Sequence, residues 1–296
     1  MGEQAKQARP AEQAGQWLTR DRDAGRDNAD RAALTGLLAD IRDRVLDAAR
    51  LHPGHHVLDL GAGTGLLTHT AARAVAPTGS IIALDLSATA LAQIRTDQAT
   101  QIRPVVGDAS HLPIATATID RVVTRSVLIY LPDLPTALGE IARVLRPAGI
   151  LSAFEPINAR RHHNAHLDGL TANENEAIDG LRRHSSPAAG PMMAFDVAPL
   201  TTAALHAGFT APTVHETTII DRLTSHTQVD AYLHRRPHPG AHSPIDLITG
   251  HLGADTATRY TTAWHHALDQ ATDQAGITFT TPVLYLTSSL ERRHTV

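Results

Sequence analysis

Apolar residues along this chain gather into short runs that alternate with stretches of helical spacing. Leu34, Leu37, Leu38, Ile41, Val45 and Leu46 share one face of a helix predicted over Ala32–Arg50. After the turn "HPGHH", Val57–Leu60 reads as a buried strand, Leu66–Val75 as a helix ending near Pro77 and Gly79, and Ser80–Leu84 as a second strand. Ser87 is placed to cap a helix from Ala88 to about Asp97. Strands follow at Pro104–Val106, Ile119–Thr124 and Ile150–Phe154, with a helix at Thr136–Leu145 stopped by Pro147 and Gly149. This alternation predicts an α/β fold, a doubly wound and mostly parallel sheet with helices on both faces.

Beyond Pro156 the rhythm changes. Residues 157–193 are polar, rich in His and Arg, and weakly helical. Asp196–Phe209 restores a helix, Thr213–Ile220 is a β-rich run, and residues 221–280 are helical in pattern but broken by "RRPHPGAHSP". Pro282–Leu290 supplies a last strand. The chain therefore divides into an N-terminal tail and possible lid (1–30), a core (31–156), an insertion (157–195), a further core helix and strand (196–220), a helical insertion (221–280) and a final strand (281–296). Residues 1–16 read as a tail, and the two insertions are expected to cap the open end of the sheet.

Composition narrows the classes of function. The chain has 296 residues, 42% of them hydrophobic, enough to bury a sizeable core. Its net charge is −4, from 26 basic and 30 acidic residues, so no basic excess calls for nucleic acid. Cysteine is absent, which removes disulfides, thiolate metal sites and cysteine nucleophiles, and fits a cytoplasmic protein. The polar N-terminus has no apolar core, and no apolar run approaches the ~20 residues of a membrane helix. Lys6 is the only lysine while Ala, Arg, Thr and His abound, a coding bias that dilutes the meaning of the 19 histidines. His162 and His166 have the i, i+4 spacing of a helical metal pair, but spacing supplies no third ligand, so no metal is expected.

"VLDLGAGTGLL" (Val57–Leu67) carries the chemistry. Gly61, Gly63 and Gly65 form G-x-G-x-G, whereas a dinucleotide fingerprint wants its third glycine where Leu66 stands. Asp59 would lie beside a pyrophosphate in the dinucleotide reading, which is repulsive. S-adenosylmethionine (SAM) instead brings a sulfonium and an α-ammonium, which a carboxylate favours. Asp85 ends the second strand and can accept ribose hydroxyls from either ligand. Asp108 follows the third strand, where the SAM geometry presents the adenine amino group.

"VLDLGAGTG", "ALDLS", "GDASHLPI" and "IDRVVTRSVLIYLPDLPTALGEIARVLRPAGIL" occur in that order. Together they resemble the class I SAM-dependent methyltransferases, specifically the subgroup similar to menaquinone and small-molecule methyltransferases, over roughly residues 30–156. The resemblance implies a Rossmann-like sheet of seven strands, the seventh antiparallel, which "PVLYLTSSL" can supply. It places Asp59, Gly61, Ala62, Gly63 and Gly65 around the methionine moiety, Asp85 on the ribose, and Leu86 on adenine. Asp108 and Ala109 would meet the adenine edge, with Arg125 and Ser126 near the methyl donor. The family usually closes on a simple hairpin of strands six and seven; here about 60 residues intervene.

Methyl transfer from a sulfonium needs alignment more than acid–base help. Glu155, ending the fifth strand, is the candidate base, with Tyr130 positioning substrate and His162 or His163 as further candidates. Trp17 is a candidate lid residue, and Trp264 a packing anchor or stacking group. The expected function is methylation of a small or medium-sized molecule, such as a specialised metabolite under biosynthesis, with SAM as cofactor and S-adenosylhomocysteine as product. A non-methylating SAM sensor and an NAD-dependent oxidoreductase are the alternatives. Acceptor atom and oligomeric state leave no mark in the sequence.

Overall fold

The computed structural model describes residues 13, 15–21, 28–96, 101–184, 189–271 and 276–291, with side chains at all of these except 21, 182–184 and 189. A short helical segment, Trp17–Asp21, precedes the long helix α1 (Asn28–Ala49). The alternating unit follows: β1 (His56–Leu60), α2 (Thr68–Val75), β2 (Ser80–Asp85), α3 (Ala88–Leu91), β3 (Ile102–Val106), β4 (Ile119–Arg125), α4 (Leu134–Val144) and β5 (Leu145–Pro156). Then come β6 (His162–His163), α5 (Ala172–His184), α6 (Ala189–Ala194), α7 (Val197–His206), β7 (Thr213–Leu223), α8 (His226–His234), α9 (Pro244–Leu252), α10 (Ala254–Asp269) and β8 (Ile277–Ser289).

The strands β3, β2, β1, β4 and β5 lie side by side and parallel, and β8 runs antiparallel beside β5. On its other side β8 pairs with β7 from Thr213↔Thr287 to Leu223↔Ile277. The sheet thus has eight strands where seven were expected; the extra one is β6, two residues that extend the line of β5 along β8 at His162↔Thr280 and His163↔Phe279. The 157–195 stretch was read as a weakly helical insertion. Part of it is drawn into the sheet by β8, and Met192 and Phe195 are buried in the core under the sheet. The antiparallel seventh-type strand is present as β8, longer than the sequence reading because its first half reaches past the end of β5.

Period-two alternation in β1 distributes the core. Leu58 and Leu60 face a layer built by α4 and α7, with Leu138, Ile141, Leu200 and Ala204. Val57 faces the opposite layer, where Ile41, Val45, Ala71 and Val75 come from α1 and α2. Only the C-terminal half of the predicted apolar face of α1 is fully buried; Leu34, Leu37 and Leu38 are half-buried. Caps end up where short polar side chains stand. Ser87 Oγ accepts from the Ala90 N–H, Asp133 from Thr136, Asp196 from Val197, and Ser243 from Asp246.

A third apolar cluster binds the cap, α5 with α8, α9 and α10, to the projecting ends of β7 and β8. Trp264 is wholly buried there and stacks on Phe279 at 5.8 Å and 9°. No described helix is long and apolar enough to cross a membrane.

Leu138 is wholly buried between α4 and the sheet. Leu138→Ala is expected to destabilise the fold by about 2–5 kcal/mol through reduced burial and a residual cavity. In urea denaturation this reads as a lower midpoint at unchanged m-value.

Candidate active site

The carboxyl ends of β1, β2, β3, β4 and β5 lie along one edge of the parallel sheet, where open α/β folds bind ligands. The β1 end turns sharply because Gly61, at φ +69°, donates its N–H to Leu84 O at 2.8 Å. A Cβ on Gly61 would stand 2.1 Å from Val127 Cγ2, so the glycine is required by the turn that follows β4. Ala62 is buried, and its carbonyl accepts the Gly65 N–H at 2.9 Å, closing the loop.

Asp59 is buried at this turn. Its Oδ2 accepts the Thr68 hydroxyl at 2.5 Å, while Oδ1 has no hydrogen-bond partner among the described residues. Burial pushes the carboxyl up to about 7, helped by the negative charge of Asp85 and opposed by Thr68 and Arg125. A buried carboxylate with one acceptor oxygen open is a poor neighbour for phosphate and a good one for a cationic group. The residues therefore fit SAM, whose ammonium and sulfonium would supply the missing positive charge.

Asp85 is half-buried at the end of β2. It accepts the Gly63 N–H at 2.8 Å through Oδ2 and the Ser87 N–H at 2.8 Å through Oδ1. Desolvation raises its pKa in spite of these bonds. Each carboxylate oxygen keeps a second lone pair, enough for ribose hydroxyls. Beside it Leu86 and Val106 are 46% and 58% exposed, an apolar rim suited to the face of a purine. Asp108 Oδ1 accepts the Ser110 N–H at 2.8 Å and so shapes the turn after β3, with Ala109 buried behind it.

Arg125 ends β4, and Ser126 takes φ +54° while donating its N–H to Phe154 O at 2.8 Å. The Arg125 charge lowers the pKa of Asp59, Tyr130 and Glu155 alike, so one guanidinium faces three groups of the site. Tyr130 is half-buried. Desolvation and the nearby Glu155 push its phenol up to about 12, which keeps it a neutral donor.

Glu155 departs from the expected role of base. It is wholly buried, and Oε1 accepts the Val127 and Leu128 N–H groups at 3.0 and 2.9 Å. Oε2 accepts the Ile129 N–H at 3.3 Å. Burial still lifts its pKa to about 7 against these bonds and Arg125. Both oxygens are committed to the backbone, so the geometry assigns Glu155 to holding the turn that backs Gly61.

The histidine candidates separate. His162 is exposed and His163 packs its ring on Trp264 at 4.9 Å, both on a strand, while His166 lies in a loop 3.2 Å from Asp168. The helical i, i+4 pair therefore does not form, and no three metal-ligating side chains converge among the described residues. Trp264 is a packing anchor of the cap. Trp17 donates its indole N–H to Arg236 O at 2.9 Å, which ties the N-terminal segment to the cap. The predicted tail falls largely on residues 1–12 and 14, outside the described residues. Sequence reasoning missed Thr68 and Val127. Thr68 opens α2 nine positions after Asp59, a hydroxyl in a first helical turn that was available as a signal; Val127 carried none.

Residues 58–153 match the family model described as "Methyltransferase domain". The chain is 31% identical over 150 residues to the malonyl-[acyl-carrier protein] O-methyltransferase of Serratia marcescens, covering 46% of this chain and 57% of that protein. It is 34% identical over 116 residues to the demethylmenaquinone methyltransferase of Staphylococcus carnosus, covering 38% of this chain and 48% of that one. The chain thus spans about half the length of the curated relatives it matches. The YcgJ protein from Bacillus subtilis shares the fold, with a TM-score of 0.53 and 17% identity over 85% of this chain and 98% of that one.

Two outcomes follow for the buried acids. The folded protein holds the Asp59 proton between the ordinary value of 3.8 and about 7, so stability is present at low pH and lost as pH rises through that window. Asp59→Asn should stabilise the ligand-free protein by about 2–4 kcal/mol at pH 8 in urea denaturation, with the gain vanishing near pH 4. Calorimetry of the unsubstituted protein should show SAM affinity rising from pH 6 to 8, and Asp59→Asn should flatten that rise. Glu155→Gln sets an amide NH2 against a backbone donor and should cost about 1–3 kcal/mol in stability while weakening SAM binding. A variant with intact stability and SAM affinity but no turnover would return Glu155 to the role of base.

Proposed function

We propose, from the premise that residues 58–153 form a class I SAM-dependent methyltransferase domain, that this chain transfers the methyl group of SAM to a small or medium-sized molecule. The observation that carries this reading is the buried Asp59 carboxylate beside the glycine turn, one oxygen of which has no hydrogen-bond partner among the described residues. Bound SAM supplies a methyl carbon already activated by a positively charged sulfur.

The chain's residues then have six tasks. Asp59 and the 61–65 turn hold the methionine end, and Asp85 takes the ribose hydroxyls. Leu86, Asp108 and Ala109 frame the adenine, while Arg125 and Ser126 face the reacting side. Tyr130, a neutral phenol, orients the acceptor by donating a hydrogen bond. The cap formed by α5, α8, α9 and α10 excludes water and limits the size of the acceptor. A net charge of −4 and a covered edge support a small acceptor over a nucleic acid. Relatives named for malonyl-[acyl-carrier protein] and demethylmenaquinone support the same breadth.

With Glu155 tied to the backbone, the acceptor must arrive as a nucleophile already deprotonated or lose its proton to water during attack. The same observation supports a second reading, a SAM-binding protein without methyl transfer. Release of S-adenosylhomocysteine on incubation with SAM and a panel of phenol, carboxylate and amine acceptors separates the two. Asp85→Ala is expected to weaken SAM about 10–100-fold, the value of two charge-assisted hydrogen bonds partly replaced by water. Unchanged affinity, or tight NAD binding without SAM binding, would overturn the assignment.

A further inference from the structure

The N-terminal segment lies across the cofactor edge and is attached at both sides of it. On the core side, a Cβ on Gly15 would stand 2.3 Å from Ser87 Oγ and 3.2 Å from Thr89 Cβ, so the segment crosses the start of α3 at close range. That crossing is two residues from Asp85. A Cβ on Gly63 would meet Leu18 Cδ1 at 3.4 Å, an ordinary van der Waals distance, so Leu18 is seated on the glycine turn. On the cap side, the Trp17 indole N–H donates to Arg236 O at 2.9 Å. A Cβ on Gly240 would lie 2.8 Å from Gln13 Oε1, a second approach to the same 235–241 loop. That loop is anchored in turn, with His238 and Ala241 buried. At the start of α1, Asp30 accepts the Gln228 side-chain N–H at 3.0 Å, a third link to the cap, here to α8.

One short piece of chain therefore touches the residues expected to hold SAM and the loop that carries the cap. Glycine at 15 is what lets it approach α3 so closely. We propose that residues 15–21 form the outer wall of the SAM cleft, with Leu18 flanking the bound cofactor beside Gly63, and that the Trp17–Arg236 hydrogen bond transmits cofactor occupancy to the cap. This rests on the SAM reading above. Leu18 is a binding residue in this scheme, and Trp17 is a positioning residue that acts through the 235–241 loop. A site that orders its cap only over bound SAM has a simple consequence: the acceptor chamber is complete after the cofactor is in place.

The test uses the full chain and SAM itself. Trp17 and Trp264 are its two tryptophans, and Trp264 is wholly buried in the cap, so a SAM-dependent change in indole emission reports Trp17. Emission should change on titration with SAM, and the change should be absent in Trp17→Phe. Calorimetry should show Leu18→Ala weakening SAM about tenfold, because the shortened side chain no longer covers the apolar face of the cofactor, with Leu18→Met restoring most of the affinity. Amide exchange at residues 235–241 should slow when SAM binds the unsubstituted protein and stay unchanged in Trp17→Phe, although that variant still binds SAM. Failure of the unsubstituted protein to bind SAM would sink the cofactor reading itself. Tight SAM binding with unaltered Trp17 emission, unaltered exchange at 235–241, or full affinity in Leu18→Ala would overturn the wall and leave the cofactor reading standing.

Discussion

The hydrogen bonds from the backbone of Val127, Leu128 and Ile129 to the buried Glu155 carboxylate are the constraint on which the rest of the site depends. They fasten the end of β5 to the turn after β4. That turn presents Val127 to Gly61, which leaves no room for a side chain and forces the β1 turn into its left-handed glycine conformation. The first glycine is thus defined by a carboxylate from a strand two positions away in the sheet. A neutral side chain of the same shape would bring fewer acceptors. Two oxygens offer about four lone-pair positions, and three converging N–H groups use most of them.

Charge balance sets the second level. Asp59 and Glu155 are both buried with pKa values lifted to about 7, and Arg125 is the cation whose charge reaches both. In a medium that screens poorly, two carboxylates sharing one guanidinium leave a deficit of positive charge near neutral pH. Under the proposed function a sulfonium ligand with an ammonium group would fill that deficit, and the cost of ionising Asp59 would be returned on binding.

The parts of this arrangement that sequence revealed were local ones. Val57–Leu60 followed by three glycines, Ser87 at a helix start and Pro147 after a helix all signal through neighbours a few residues away, although the helix that Ser87 caps spans only Ala88–Leu91 and stops short of the predicted end near Asp97. The antiparallel last strand and the acids at the ends of β1, β2 and β3 were legible for the same reason. Glu155 was expected as a base, and its backbone partners lie 26–28 positions earlier, where only the folded sheet brings them together. His162 and His163 kept helical spacing to His166 in a polar stretch, yet pairing with β8 decided their conformation. Leu18 and Val127 gave no sign at all, since an aliphatic side chain acquires a role at a site only through what it is packed against.

The projecting hairpin of β7 and β8 joins these levels. Past Pro156↔Val283 the strand β8 leaves β5, and its outer half carries Phe279 into the cap, where Trp264, Tyr232 and His163 surround it. The cap is therefore built on the same strand that pairs with the carboxylate holding the glycine turn. Any shift of β8 that moved the cap would also load the Glu155 network. Under the proposed function, size selection of the acceptor would therefore be mechanically linked to the geometry of the cofactor turn. Substitutions in the cap core should be felt at the cofactor turn more than their distance from it implies, because a stiff antiparallel ribbon spans the interval.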